Sequence, residues 1–166
     1  MKTIRFFVII LIGVLANSCA TLKAPSVAKY DSIEGYKYFV IPTTSNLTSS
    51  TGSVYGGDYG VYGATTTKSV NPGDVITGIM MKQGYTRLPE INPELINETL
   101  IINYGESGRR NIAGGLGGYT IEVTINLVSA KSHKTLASGS AEGQGSTEAD
   151  DIRQAITRCL SAIFSK

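Results

Sequence analysis

Residues 119–127, Tyr-Thr-Ile-Glu-Val-Thr-Ile-Asn-Leu, alternate apolar and polar side chains without a break. Successive side chains of a strand point to opposite faces, so Tyr119, Ile121, Val123, Ile125 and Leu127 share one side and Thr120, Glu122, Thr124 and Asn126 the other. One side builds a core and the other meets water, which predicts an open sheet covered on a single face. The cover must come from elsewhere in the chain.

Downstream, Ala130 to Lys134 reads as a turn, and Thr135 to Glu142 as a return strand of small residues, Leu136-Ala137-Ser138-Gly139-Ser140-Ala141, against which a helix can pack closely. That helix begins at Thr147-Glu148-Ala149-Asp150, which resembles a capping box with the shorter acid, and Glu148, Asp150 and Asp151 all sit at its positive end. Its apolar stripe is Ile152, Ile156, Cys159, Leu160 and Ile163. Cys159 therefore reads as a small core residue.

Upstream, Thr99 to Tyr104 carries Leu100-Ile101-Ile102, an interior strand. Gly105 to Gly118 holds six glycines and reads as a flexible hairpin tip with the solvated pair Arg109-Arg110, whose guanidinium forks would suit an anionic partner. Gly114-Gly115-Leu116-Gly117-Gly118 lacks nucleotide-loop spacing, and no Lys-Ser or Lys-Thr follows it. A second helix opens at Asn71-Pro72-Gly73-Asp74, where Asn caps and Pro fits the first helical position. Val75, Ile76, Ile79 and Met80 form its apolar face, and Gly84 stops it. Tyr36 to Ile41 predicts a strand ended by Pro42, and Tyr85 to Leu88 a short extended piece.

Together these elements predict one α+β domain over 35–166, a two-layer sandwich with a mixed or antiparallel sheet and both helices on one face. Within it, residues 45–69 form a Gly/Tyr-rich excursion, either a mobile segment or a long hairpin turning near Gly56 to Gly60. Tyr55, Tyr59 and Tyr62 punctuate it and offer flat amphipathic contacts at low entropic cost.

The N-terminus speaks of location. Lys2 and Arg5 precede an apolar run from Phe6 to Ala16, too short to span the roughly 30 Å hydrocarbon layer as a helix, so residues 1–18 read as an export signal. Asn17-Ser18-Cys19 then resembles the lipobox of bacterial lipoproteins, although Ala16 and Asn17 stand where that family prefers Leu and a smaller residue. The resemblance implies cleavage before Cys19 and acylation of its thiol. Residues 19–34 would follow as a lipid-anchored tether. No acid follows Cys19 through Pro25, which by the same resemblance implies neither inner-membrane retention nor surface export, and favours the periplasmic side of the outer membrane.

Composition narrows the function. The precursor carries 15 basic and 13 acidic residues, and losing Lys2 and Arg5 leaves the mature domain neutral, without an electrostatic footprint for nucleic acid. Two cysteines and one histidine fall short of a structural zinc site, and no cofactor is expected. His133, in the predicted turn, lacks the fixed acid and nucleophile of a hydrolytic triad.

Tyr36-Lys37-Tyr38-Phe39-Val40, Lys82-Gln83-Gly84-Tyr85, Tyr104-Gly105-Glu106-Ser107-Gly108-Arg109-Arg110 and the run from Ala141 to Arg153 resemble small lipoproteins of the Bacteroides group. That resemblance brings no assigned chemistry. The expectation is a non-enzymatic envelope lipoprotein that binds or assembles with an envelope protein or polymer through its open sheet face, Tyr55, Tyr59 and Tyr62, or Arg109 and Arg110. The alternatives are a small hydrolase or ligand-binding enzyme using Glu106, Ser107, Arg109 and Arg110, and a structural lipoprotein that self-assembles through 45–69.

Overall fold

The computed structural model describes residues 22–42, 47–57, 60–112 and 118–165, with only the backbone described over 47–57 and 60–68. The signal segment, Cys19 and Tyr59 lie outside the described residues.

The alternating stretch forms β7 (Tyr119–Ser129), at the heart of a six-stranded sheet. Its neighbours are β6 (Thr99–Asn111) and β8 (Thr135–Gly143), both antiparallel to it. β1 (Ser26–Lys29) pairs antiparallel with the outer edge of β8, while β2 (Tyr38–Val40) lies parallel to both β6 and the two-residue β5 (Thr86–Arg87). The order is β1-β8-β7-β6-β2-β5, a mixed sheet not closed into a barrel.

Helices α1 (Pro72–Lys82) and α2 (Glu148–Phe164) cover one face, giving the expected α+β plan. Ile121, Val123, Ile125 and Leu127 are fully buried there, against Ile152, Ile156, Cys159, Leu160 and Ile163 of α2. Each such Leu or Ile stabilises the fold by about 1.5–3 kcal/mol relative to exposure. From α1, Ile76 and Met80 reach the same core beside Phe39 and Leu100, with Val75 and Ile79 partly buried around them. The helix ends follow their local chemistry. Asn71 Oδ1 accepts from the Gly73 N–H (2.9 Å), and Thr147 Oγ1 from the Asp150 N–H (3.3 Å). Gly84 takes the positive φ of 91° that ends α1.

Three expectations need correction. Residues 22–34 are not a free tether preceding a domain that starts at Gly35, because β1 is an edge strand and the Tyr30 and Asp31 N–H groups donate to the Leu136 carbonyl. The strand expected over Tyr36 to Ile41 shortens to Tyr38–Val40: β6 begins at Thr99, opposite Tyr38, and the pairing with it stops at Val40↔Ile101, while β5 pairs only with Tyr38 and Phe39. Residues 105–111 are not a loop. β6 continues through them with a bulge between Glu106 and Gly108, because β7 supplies a partner along its whole length. Of the two forms expected for the excursion, the structure shows the hairpin, β3 (Leu47–Gly57) against β4 (Gly60–Val70), in register from Leu47↔Val70 to Gly57↔Gly60. It forms a separate two-stranded sheet, joined to the core where Val70 is buried.

Candidate functional site

Registry decides which side chains share a face. Opposed residues in an antiparallel pair lie on the same side, so Gly108, Arg110, Glu122 and Glu142 belong to the open face. Thr124, Asn126, Ser138 and Ser140 continue that face towards the other end, all half-buried and uncharged. Tyr104, Glu106 and Arg109 are registered with Ile125, Val123 and Ile121, and so lie on the helix side.

The organising group on the open face is Glu142, whose side chain is only 3% exposed. Arg110 grips it with both arms, Nε to Oε1 at 2.9 Å and Nη2 to Oε2 at 2.6 Å. The Lys23 N–H donates to Oε2 at 3.0 Å, and Lys23 Nζ stands 3.7 Å from Oε1. The Arg110 hydrogen bonds, opposed by burial and reinforced by Lys23, hold the Glu142 carboxyl down at about 2. On the neighbouring pair, Ser107 Oγ donates to Glu122 Oε1 at 2.9 Å.

The helix side carries a second knot. Arg109 Nη2 pairs with Glu148 Oε1 at 2.5 Å, stands 4.0 Å from Glu106 Oε2, and its guanidinium carbon lies 5.2 Å from the Tyr119 ring centroid. Close by, burial first, then the charges of Glu106 and Glu148, push the Tyr104 hydroxyl far above its usual range. Asp151, buried at the start of α2, accepts from the Gly145 N–H, yet burial still raises its carboxyl.

The four residues of the hydrolase alternative therefore separate. Glu106 and Arg109 lie on the helix side, Arg110 on the open face, and Ser107 at the bulge between. Strand alternation, which a loop would not have imposed, prevents their convergence on one substrate. Arg109 and Arg110, expected as solvated partner contacts, are both committed to ion pairs with acids. Tyr55 and Tyr62 are register partners across the hairpin. Cys159 is buried, and desolvation raises its thiol to about 11, as its place in the apolar stripe implied. His133 occupies the exposed turn after β7 with a positive φ of 57°.

Sequence reasoning missed Glu142, Lys23 and Arg158, which form one network. The single signal for it was an acid at the end of an otherwise uncharged strand; partners 119 and 32 residues away left no trace. Among the described residues, no group of three or more His, Cys, Asp or Glu side chains could hold a metal ion, and no helix is long and apolar enough to cross a membrane.

No protein-family profile and no curated protein matches the chain. Among solved structures, the chain is similar in fold to a variant of PelC from Paraburkholderia phytofirmans, solved as a dodecamer, at 12% identity and a TM-score of 0.51 over 88% of this chain and 100% of that one. Another PelC dodecamer from the same organism aligns at 13% identity and a TM-score of 0.47, over 86% of this chain and 99% of that one.

Proposed function

We propose that this chain is a non-enzymatic envelope lipoprotein, anchored through acylated Cys19 to the periplasmic side of the outer membrane, that works as an assembly module by associating with copies of itself and with an envelope protein or polymer. The observation that carries the reading is the β3–β4 hairpin, whose 11-residue strands, among the described residues, pair only with each other and form a sheet separate from the six-stranded one. Two strands alone are marginally stable in water, and among the described residues neither outer edge has a strand partner, so a further copy that pairs with or packs on the hairpin would complete it. The PelC fold neighbour is itself a dodecamer, which supports homo-oligomers on this architecture. Tyr55 and Tyr62 are register partners across the hairpin, and aromatic residues suit such a contact.

Two measurements test the two halves of the reading. Intact mass and membrane fractionation of wild type beside Cys19→Ala should show a Cys19-dependent acyl mass and outer-membrane recovery; an unacylated, soluble wild type would overturn the anchor. Sedimentation of Cys19→Ala protein should show concentration-dependent oligomers that vanish on deleting residues 45–69. Oligomers that survive the deletion would place the contact elsewhere. Replacing Tyr55, Tyr59 and Tyr62 by Ser should weaken association without unfolding the domain.

A further inference from the structure

Three residues separate Cys19 from Lys23 along the chain. Lys23 is held on three sides. Its N–H donates to Glu142 Oε2 at 3.0 Å, its carbonyl accepts from Arg158 Nη2 at 2.8 Å, and its ammonium stands 3.7 Å from Glu142 Oε1. Arg158 also donates from Nη1 to the Glu142 carbonyl, so one guanidinium ties the N-terminal segment and β8 to α2. Three residues later β1 enters the sheet at Ser26↔Ser140. Lys23 is therefore a pinned root.

The root sits at one end of the sheet. There β8 ends at Gly143, β7 begins at Tyr119, β6 ends at Asn111 and α2 begins at Glu148. The opposite end carries the turn with His133 and the groove formed by Ile33, Tyr36, Gln83 and Tyr85. β7 runs between the two ends, and its length separates them by about 33 Å at the usual strand rise.

Four peptide units join Cys19 to Lys23, and even fully extended they reach no more than about 14 Å. The headgroup layer on one side of a bilayer is itself roughly 5–8 Å thick. A root pinned that close to the acyl chains cannot let the domain turn over.

The geometry points to a fixed stance on the lipid surface: the end bearing Asn111, Tyr119 and Gly143 faces the headgroups of the membrane that holds Cys19, and the His133 end points away from it. This rests on the lipid-anchor reading and goes beyond it by assigning the membrane-facing surface. Tyr119, half-buried with Arg109 stacked on its ring and 51% of the Arg109 side chain exposed, gives that end the amphipathic character suited to a headgroup layer.

The test uses full-length acylated protein in phosphatidylethanolamine/phosphatidylglycerol vesicles containing doxyl-labelled lipid, with a fluorophore on Asn111→Cys or, separately, His133→Cys. Quenching at position 111 should exceed that at 133 several-fold; equal or reversed quenching in protein that carries the acyl mass overturns the stance while leaving the anchor intact. Absence of the acyl mass on Cys19 removes the anchor and the stance together. A 12-residue Gly/Ser insertion between Ala20 and Thr21 adds about 19 Å of mean reach and should lower quenching at 111 to the level of 133. Unchanged quenching after the insertion overturns the short tether as the cause.

Discussion

Glu142 shows how much one side chain can organise. Its carboxyl is nearly out of water and titrates at about 2, held there first by the Arg110 hydrogen bonds. Because that value is depressed, its contribution is fully present above the ordinary glutamate value of about 4.3 and is lost as pH falls from there towards 2. Asp151 works with the opposite sign, since burial raises its carboxyl: keeping it charged costs stability at neutral pH, and the cost is relieved as pH drops through its raised value. Glu142→Gln should cost about 1–3 kcal/mol at pH 7 in urea denaturation, because Arg110 and Lys23 lose the charge they surround. At pH 3 the gap to wild type should narrow, and an equal gap at both pH values would sink this account. The Cys159 thiol, raised to about 11 and buried, should resist alkylation at pH 8 in the native protein and react freely in urea. Its position in the apolar stripe made that role legible in the sequence. Glu142 was legible only as a lone acid, because local patterning says nothing about a partner supplied by another strand.

Between elements, the contact between β8 and α2 depends on missing side chains. A β-carbon at Gly143 would stand 1.9 Å from the Asp151 carbonyl oxygen and 2.7 Å from the Ala155 nitrogen, backbone atoms that yield only if α2 shifts. At Gly139 it would meet side-chain atoms instead, Ile163 Cγ1 at 2.9 Å and Cys159 Sγ at 3.1 Å, which can give way without moving the helix backbone. Gly143→Ala should therefore cost about 3 kcal/mol or more and Gly139→Ala about 1 kcal/mol, compared by their urea midpoints. Similar costs at both sites would mean that α2 is not held as closely as the geometry requires. At the start of the same helix, Thr147→Ala removes the cap to the Asp150 N–H and should lower stability by about 1 kcal/mol in the same assay. The small-residue strand and its close helix were readable from composition. Which glycine touches backbone was not, since that depends on register against β7 and on the depth at which α2 settles.

At the scale of the whole molecule, two sheets coexist with different support. The six-stranded sheet has helices over one face, whereas β3 and β4 span about 33 Å and, among the described residues, have only each other as strand partners. If association completes the hairpin, its amides should gain hydrogen-exchange protection as protein concentration rises, while those of β6, β7 and β8 stay unchanged. Protection of the hairpin independent of concentration would argue against that role. Removing residues 45–69 should leave the main thermal transition in place, because Val70 remains to fill its place in the core.

The sequence by itself determined the α+β plan, both helices with their caps and buried stripes, and the strand over 119–127, because alternation, helical period and capping are properties of neighbours in the chain. It also carried the lipobox resemblance at Cys19, a local motif. Only the tertiary structure decided that residues 105–111 are strand rather than loop, that 26–29 belongs to the sheet, and that Arg109 and Arg110 serve opposite faces. Those outcomes depend on hydrogen-bond partners contributed from far along the chain. A stretch rich in Gly and charge adopts extended structure when a neighbouring strand satisfies its backbone, and no local pattern records that the neighbour is there.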